Sequence, residues 1–402
     1  MSRTTKSAIL VFVVLFLMII AFGAGIGVTM AFPVAELFGR MPDTPSNEAG
    51  QSFKVFWEAW NAAEKDFVDR QALDPAKMTQ GAIKGMLESL GDRHTVYLDA
   101  EHFKLEKSGY EGSFDGIGAE VTIVDGQLTV LAPIADSPAE KAGIRPGDKI
   151  VKVDGEDISG QTVAEVVSKI RGPRGTSVRL TIQREGQSQP LELEIVRGQI
   201  KTESVRTRML DGGGLAYVRI TEFTARTGEE IVPKLTELKK NSPEGLILDL
   251  RSNPGGLLDA TVDVANQFLR SGVILYQVDS QGNRKTWSVK PGGVATDIPM
   301  VVLVNKGSAS GSEVLAGALQ DNGRAILIGE ETFGKGSVTH VWELSDGSAA
   351  VITFARWLTP NGTLIEGRGL SPDIELKLTE EDIASGNDRQ LQRAIEYLTT
   401  GK

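Results

Sequence analysis

The sequence contains no cysteine and only three histidines among its 402 residues. Without cysteine the chain has no disulfide framework, no thiolate nucleophile and no Cys-ligated metal site. The histidines are His94, His102 and His340, and no two of them have the i, i+4 spacing of metal ligands on a helix. This distribution disfavours a zinc hydrolase, and no metal, nucleotide or other cofactor is implied.

Positive charge is also scarce. Lysine and arginine total 43 against 53 aspartates and glutamates, which gives a formal net charge of −10. No segment supplies the basic stripe that binds phosphates, so we do not expect nucleic acid as a partner. The length exceeds what one hydrophobic core usually organises, and it predicts two or three domains.

One long uncharged run, residues 8–32, is the clearest compositional feature. It exceeds the ~20 apolar residues that cross a bilayer. Arg3 and Lys6 precede the run and Glu36 follows it, so the positive-inside rule places the N-terminus in the cytoplasm and the rest of the chain outside. We therefore expect a single-pass anchor in the cell membrane over residues 1–32. A cleaved signal peptide is the alternative, although AFPVA is a poor cleavage site.

Composition and periodicity divide the remaining chain into five regions. A Pro-, Ser- and Gly-rich tether comes first, followed by amphipathic helices whose aromatic stripe we expect to be core. A compact region of short strands with two helices follows, then an α/β region with buried strands, then a C-terminal helix. The predicted bounds are 33–50, 51–110, 111–198, 199–380 and 381–402. Catalytic groups of such α/β folds collect at the carboxyl ends of the strands.

The loop GSASGSE follows the buried strand PMVVLVN and holds the first candidate group. Ser310 and Glu313 match an S-x-x-E capping box, which would explain the serine as a helix start. A serine at a strand-to-helix turn also directs its hydroxyl and the next backbone amide, that of Gly311, toward one point. The turn RSNPGG follows another strand, and Gly255 or Gly256 there could supply a second oxyanion donor. A plain loop explains these glycines equally well.

A base for this serine is sought in ETFGKGSV, where Lys335 lies between two glycines. A lysine acts as a base only when neutral, which requires burial away from water, and a solvated surface lysine is the alternative. GEETFGK also matches a phosphate loop. Gly336 stands where that loop needs Ser or Thr, however, and the next residues alternate as a strand. His340 is the other candidate base, in a Ser-His-Asp arrangement.

Six motifs in order, FDGIGAEV, IRPGDKI, KIRGPRGTSV, LDLRSNPGG, NKGSASGSE and ETFGKGSV, resemble the carboxyl-terminal processing proteases, the S41 family of serine peptidases. The resemblance runs from about residue 53 to residue 373. It implies an α/β fold, namely a crotonase- or ClpP-like protease core with an inserted PDZ domain, an N-terminal helical segment and a transmembrane helix.

By this resemblance Ser310 is the nucleophile and Lys335 its general base. The placement of the two turns adds Gly311 and either Gly255 or Gly256 as expected oxyanion donors. Two positions depart from the family pattern. Gly311 stands where the family usually has alanine. Thr339 stands where the family often has a glutamine that orients the lysine, so the third member of the site is open.

The resemblance further implies that Gly116, Ile117 and Gly118 form the carboxylate-binding turn of the PDZ domain, beside which a peptide adds as a strand. Arg171, at the end of the predicted groove helix, is either a helix-end charge or a link to the active site. We expect a membrane-anchored, extracytoplasmic serine endopeptidase that captures C-terminal tails of proteins or peptides. The alternative is a non-catalytic PDZ scaffold that only binds tails, and homo-oligomer formation stays open.

Overall fold

A computed structural model describes residues 47–401 except 125, 211 and 213. The predicted membrane anchor at residues 1–32 lies outside the described residues. Within the described ranges, no helix is long and apolar enough to cross a membrane. By its contacts the chain divides into two units, residues 1–79 and residues 80–402.

The first unit contains helix α1 (Asn47–Asp66), a 3-10 turn (Arg70–Ala72) and the start of α2 (Pro75–Glu88). The predicted tether of residues 33–50 extends too far at its C-terminal bound, because α1 already begins at Asn47. The polar first turn of α1 is compatible with a helix start. The prediction that the aromatic stripe is core is also wrong. The rings pack on one another along α1, and Phe53 and Trp57 remain 49% and 53% exposed.

Strand β1 (Val96–Leu98) and helix α3 (Ala100–Tyr110) lead into the region of short strands. Five of its strands form one antiparallel path, ordered β3-β4-β5-β7-β8, in which β3 is an edge strand. The elements are β2 (Ser113–Gly116), β3 (Ala119–Val124), β4 (Gln127–Pro133), α4 (Pro138–Lys141), β5 (Lys149–Val153), β6 (Glu156–Asp157), α5 (Val163–Ile170), β7 (Ser177–Gln183), β8 (Leu191–Val196) and β9 (Gly198–Lys201).

The α/β region contains the largest hydrophobic core. Its elements are β10 (Val205–Met209), β11 (Leu215–Ile220), α6 (Thr227–Lys240), β12 (Gly245–Asp249), α7 (Leu258–Phe268), β13 (Val273–Asp279), β14 (Arg284–Ser288), β15 (Met300–Val304), α8 (Gly311–Asp321), β16 (Ala325–Gly329), β17 (Ser337–Glu343), β18 (Ala349–Leu358) and β19 (Ile374–Glu375). The predicted single C-terminal helix is two helices, α9 (Glu380–Ser385) and α10 (Arg389–Thr400), because Gly386 adopts φ +68° and ends the first.

A six-stranded sheet, ordered β10-β11-β12-β15-β16-β19, forms the centre of this region. All neighbouring pairs are parallel except β10 with β11. Along β12, Leu246 and Leu248 face the large core with α6, α7 and α8, whereas Ile247 faces a smaller core with Ala394 of α10. Burial on both faces explains why these strands read as continuous apolar runs.

Because β12, β15 and β16 are parallel neighbours, their carboxyl ends lie at one edge of the sheet. The loops that leave this edge are the three candidate segments, RSNPGG after β12, NKGSASGS after β15 and EETFGKG after β16. The last loop leads into β17, which pairs with β18 in a separate antiparallel sheet. The topology therefore places all three segments together.

A partly buried ion network fixes the end of β12 against α10. Arg251 donates to both carboxylate oxygens of Asp388 at 2.8 Å each, and to those of Asp249 at 3.0 and 2.7 Å. Asp388 also caps α10 by accepting from the Leu391 amide at 3.0 Å. Asp249 is fully buried and accepts from the Tyr217 hydroxyl at 2.6 Å. The C-terminal helix is thus tied to the strand that leads into RSNPGG.

We predict that Arg251→Ala lowers the free energy of unfolding by about 3–5 kcal/mol, because it leaves the buried Asp249 carboxylate without its cation. Urea unfolding followed by circular dichroism measures this change. The control is Lys377→Ala, which removes one partner of an exposed pair with Glu375. A loss for Arg251→Ala no larger than that of the control would show that the network does not hold the fold.

Candidate active site

Two of the three serines in the β15–α8 loop and the first turn of α8 have structural roles. The Ser308 hydroxyl donates to the Leu250 carbonyl at 2.8 Å, and the Ser312 hydroxyl donates to the Asn253 carbonyl at 2.9 Å. Both serines are fully buried. Their hydrogen bonds hold this loop against the segment that follows β12, with Ser310 between them.

Ser310 has a strained backbone, with φ +54° and ψ −117°, immediately before α8. A positive φ is uncommon for a residue other than glycine and costs free energy that the surrounding structure must offset. The Ser310 amide donates to Glu313 Oε2 at 2.8 Å, which is the hydrogen bond that the glutamate side chain contributes to the predicted capping box. A helix cap alone does not need a positive φ, because cap residues ordinarily adopt β-region angles.

The Glu313 carboxylate joins the serine loop to the lysine turn. Its Oε2 atom accepts from the amides of Ser310 and Lys335, at 2.8 and 2.9 Å. Its Oε1 atom accepts from the Thr332 hydroxyl at 2.6 Å and from the Gly334 amide at 2.7 Å. The residue is fully buried. Sequence reasoning identified Glu313 only as a cap and missed this link, although an acid before an apolar helix was a signal.

Gly255 lies directly against the serine. A Cβ atom added to Gly255 would lie 2.7 Å from the Ser310 Cβ and 2.8 Å from the Gly311 amide nitrogen, and its φ is +102°. Only glycine fits this contact. The Gly255 amide donates to Asn253 Oδ1 at 2.9 Å. The Gly255 amide is therefore already hydrogen-bonded, which favours Gly256 over Gly255 as the second oxyanion donor.

Asn253 is a buried residue that sequence reasoning missed. Besides accepting from Gly255, its side chain donates from Nδ2 to the Ile220 carbonyl at 2.9 Å. Its own carbonyl accepts from the Ala309 amide at 3.0 Å and from Ser312. Asn253 therefore sets the position of the glycine turn relative to the serine loop.

The structure gives a reason for glycine rather than alanine after the serine. A Cβ atom added to Gly311 would lie 2.5 Å from Thr261 Oγ1. The Thr261 hydroxyl donates to the Leu257 carbonyl at 3.0 Å, so it is held in that space. Gly311 and Thr261 are thus a matched pair in this chain.

Lys335 is half-buried and lines a cavity of about 160 Å³ together with Thr339. Polar side chains of the preceding helical region also line this cavity, namely Arg93, His94, Glu106 and Tyr110. His340 lies outside it, exposed, with its ring packed against those of Trp342 and Phe354 at 5.4 and 5.0 Å. The phosphate-loop alternative fails, because β17 begins where that loop needs a helix.

Gly116 is the last residue of β2, and the turn at Ile117 and Gly118 leads into the edge strand β3, on which α5 packs. The carbonyls of Ile117 and Gly118 are bonded inward, accepting from the amides of Ala139 and Ile134 at 2.8 and 2.9 Å. Gly118 has φ +76°, and a Cβ atom there would lie 2.5 Å from the Ser137 Cβ. The edge strand, the turn and the helix therefore lie next to one another.

Arg171 follows α5 directly, and its guanidinium lies 4.4 Å above the Phe114 ring centroid. Both residues line a cavity of about 280 Å³ whose other wall includes Thr221, Glu222 and Thr224 of the α/β region. Burial lowers the pKa of Arg171 and raises that of Glu222. The arginine therefore lies at the junction of the two regions.

Burial raises the pKa of Glu313 above its ordinary value of 4.5, and the hydrogen bonds that the carboxylate accepts oppose this only in part. A carboxyl group whose pKa is higher in the folded chain binds its proton more tightly when folded. Its contribution to the free energy of unfolding is therefore most favourable below pH 4.5, and it falls as the pH rises through the raised value.

Glu313→Gln removes this titration. We predict that the free energy of unfolding of the wild type, minus that of Glu313→Gln, decreases as the pH rises from 4 toward neutrality, by roughly 1.4 kcal/mol for each unit of pKa elevation. Urea unfolding at a series of pH values gives this difference. A difference that stays constant or grows with pH would contradict the assigned direction.

Three segments match known families. Residues 214–376 match peptidase family S41, residues 129–184 match a PDZ domain, and residues 38–102 match the N-terminal domain of the activating protease CtpB. The three matches follow one another along the chain in the order that the motifs predicted.

Relatives cover most of the chain. A carboxy-terminal-processing protease of Bartonella bacilliformis is 43% identical over 309 residues, covering 75% of this chain and 70% of the relative. The carboxy-terminal processing protease CtpA of Bacillus subtilis is 39% identical over 324 residues, covering 80% and 68%.

A solved structure of a putative S41 protease from Bacteroides fragilis aligns with a TM-score of 0.54 at 15% identity, covering 90% of this chain and 100% of that one. This likeness concerns the fold alone. The family resemblance found in the motifs is confirmed by the S41 and PDZ matches and by the relatives. The chain therefore belongs to peptidase family S41, as a carboxy-terminal processing serine protease that carries a PDZ domain.

Proposed function

We propose that the chain is a membrane-anchored, extracytoplasmic endopeptidase that cleaves proteins selected by their C-terminal tails, with Ser310 as nucleophile and Lys335 as general base. One observation carries the assignment of the pair. The buried Glu313 carboxylate accepts from the backbone amides of both residues through a single oxygen atom. Residues 8–32 supply the proposed anchor.

In this mechanism Ser310 Oγ attacks the scissile carbonyl carbon while Lys335 Nζ takes the hydroxyl proton. The lysine then gives that proton to the leaving amine, and water hydrolyses the acyl-enzyme in a second step. The amides of Gly311 and Gly256 stabilise the oxyanion, and the N-terminus of α8 adds a favourable dipole. Thr339 shares the cavity of Lys335 and is the candidate third member.

Tail recognition is assigned to the groove between β3 and α5. An extended peptide adds beside an edge strand through main-chain hydrogen bonds, and β3 is such a strand. With the Ile117 and Gly118 carbonyls bonded inward, the amides of the turn are assigned to the terminal carboxylate of the peptide. The partners of the chain are therefore proteins or peptides with free C-termini.

We expect Ser310→Ala and Lys335→Ala each to lower cleavage of an unfolded test protein by about 10²-fold or more, because each removes a group that moves or attacks in the transition state. His340→Ala should keep most of the rate and serves as control. Loss of activity in His340→Ala with retention in Lys335→Ala would assign the base to histidine. Tail binding by the wild type without any cleavage would support the scaffold alternative.

We also expect Arg171→Ala to cleave slowly and to gain little from tail peptides that are not themselves cut. A peptide activates only by binding one state of the enzyme better than another, and Arg171 lies where the two regions meet. The matched control is Lys169→Ala, because Lys169 is a cation of the same helix end but pairs with exposed Glu156. Equal peptide activation in the wild type and Arg171→Ala would leave Arg171 as a helix-end charge.

A further inference from the structure

The turn that carries Lys335 is held on a second side by residues 365–370. A Cβ atom added to Gly336 would lie 2.4 Å from the Glu366 amide nitrogen, and one added to Gly334 would lie 3.0 Å from that of Gly369. The Gly334 carbonyl accepts from the Gly367 amide at 3.0 Å. The two backbones are therefore in direct contact.

Glu366 is the side chain at the centre of this contact. Its Oε2 atom accepts from the Gly336 amide at 2.9 Å, on the C-terminal side of Lys335. Its Oε1 atom lies 3.6 Å from Arg93 Nη2 and 3.4 Å from His94 Nε2. The Glu366 and His94 side chains are only 17% and 11% exposed, whereas the Arg93 side chain is 53% exposed.

Arg93 completes the enclosure on the N-terminal side of Lys335. Its Nη2 atom donates to the Gly334 carbonyl at 3.1 Å, and its Nε atom donates to His94 Nε2 at 3.0 Å. Burial lowers the pKa of His94, and the positive charges of Lys335 and Arg93 act in the same direction, while Glu366 opposes them. A neutral His94 accepts from Arg93 through the Nε2 lone pair, so that atom donates nothing to Glu366, and His94 acts on the carboxylate through Arg93.

Lys335 needs such support for a physical reason. Its ammonium group is at the end of a flexible four-carbon stem, and its two neighbours are glycines, which allow the backbone unusual freedom. Glu313 accepts from the amides of Gly334 and Lys335, whereas the Gly336 amide donates to Glu366. A misplacement of about 1 Å can cost roughly 10²-fold in rate.

We infer that Glu366 is a positioning residue for the Lys335 base, and that Arg93 and His94 act with it as one clamp around Gly334 and Gly336. This inference rests on the proposed role of Lys335. Glu366 acts through the backbone and touches no reacting atom. Its removal should therefore affect the chemical step and leave substrate capture by the PDZ domain unchanged.

The test compares Glu366→Ala and Glu366→Gln in the full chain, with kcat and KM measured on an unfolded test protein. Glu366→Ala should lower kcat at least about tenfold with KM within about twofold, because the base is displaced while tail binding persists. Glu366→Gln should keep most of kcat, since its amide oxygen can still accept from Gly336. Glu375→Ala, an exposed carboxylate in the same C-terminal part, is the control.

Arg93→Ala should lower kcat less than Glu366→Ala does, because the Gly334 carbonyl keeps its bond from Gly367. The double variant should lose little more than Glu366→Ala alone, since residues of one clamp are not additive. Additive losses in the double variant would show that Glu366 and Arg93 do not act as one clamp. An unchanged kcat or a raised KM in Glu366→Ala would overturn the positioning role of Glu366. A low kcat in Glu366→Gln would overturn it as well.

Lys335→Ala, measured in parallel, separates this inference from the proposed function. If Lys335→Ala cleaves as well as the wild type, the Ser-Lys assignment fails and the clamp has no base to position. If Lys335→Ala is inactive while Glu366→Ala behaves as the wild type, only the clamp is wrong.

Discussion

The buried carboxylate of Glu313 is the interaction on which the candidate active site depends. It accepts four hydrogen bonds. Two come from the backbone amides of Ser310 and Lys335, the proposed nucleophile and base, and two come from the Thr332 hydroxyl and the Gly334 amide. A carboxylate in a buried position is costly unless donors surround it, and here backbone donors from two separate loops do so. Burial raises the pKa of Glu313, and the hydrogen bonds that offset this cost are the same ones that align the two loops.

Around this carboxylate the alignment is made mostly by backbone groups. Asn253 and the hydroxyls of Ser308 and Ser312 join the segment after β12 to the loop after β15. Glycines allow backbone segments to approach within contact distance, where Gly255 meets Ser310 and where Gly336 meets Glu366. The parallel sheet supplies the rigid edge from which these loops leave, and Arg251 fixes that edge to α10. The positions of the proposed nucleophile and base thus follow from main-chain contacts that tolerate few side chains.

Regions distant in sequence contribute to the site. Arg93 and His94 precede the PDZ domain, yet they reach the turn of Lys335. Arg171 of the PDZ domain shares a cavity with Glu222, which lies just beyond β11. Among the described residues, the protease region is therefore connected both to the helical segment and to the PDZ domain. A serine protease that processes tails needs such connections if capture of a tail is to influence cleavage.

The sequence by itself determined the α/β layer order and the place of the loops at the strand ends. Through the family pattern it also predicted that Ser310 and Lys335 act as a pair, and that pairing stays a prediction. Apolar runs, turn residues and motif order are local signals, so they can be identified in the sequence without any information on tertiary contacts. Only the tertiary structure decided that Glu313 joins two loops besides capping α8, that the Gly255 amide is already hydrogen-bonded, that Thr261 occupies the space beside Gly311, and that Glu366 reaches Gly336. Each of these depends on segments brought together by folding, and spacing along the chain carries no information about which donor meets which acceptor.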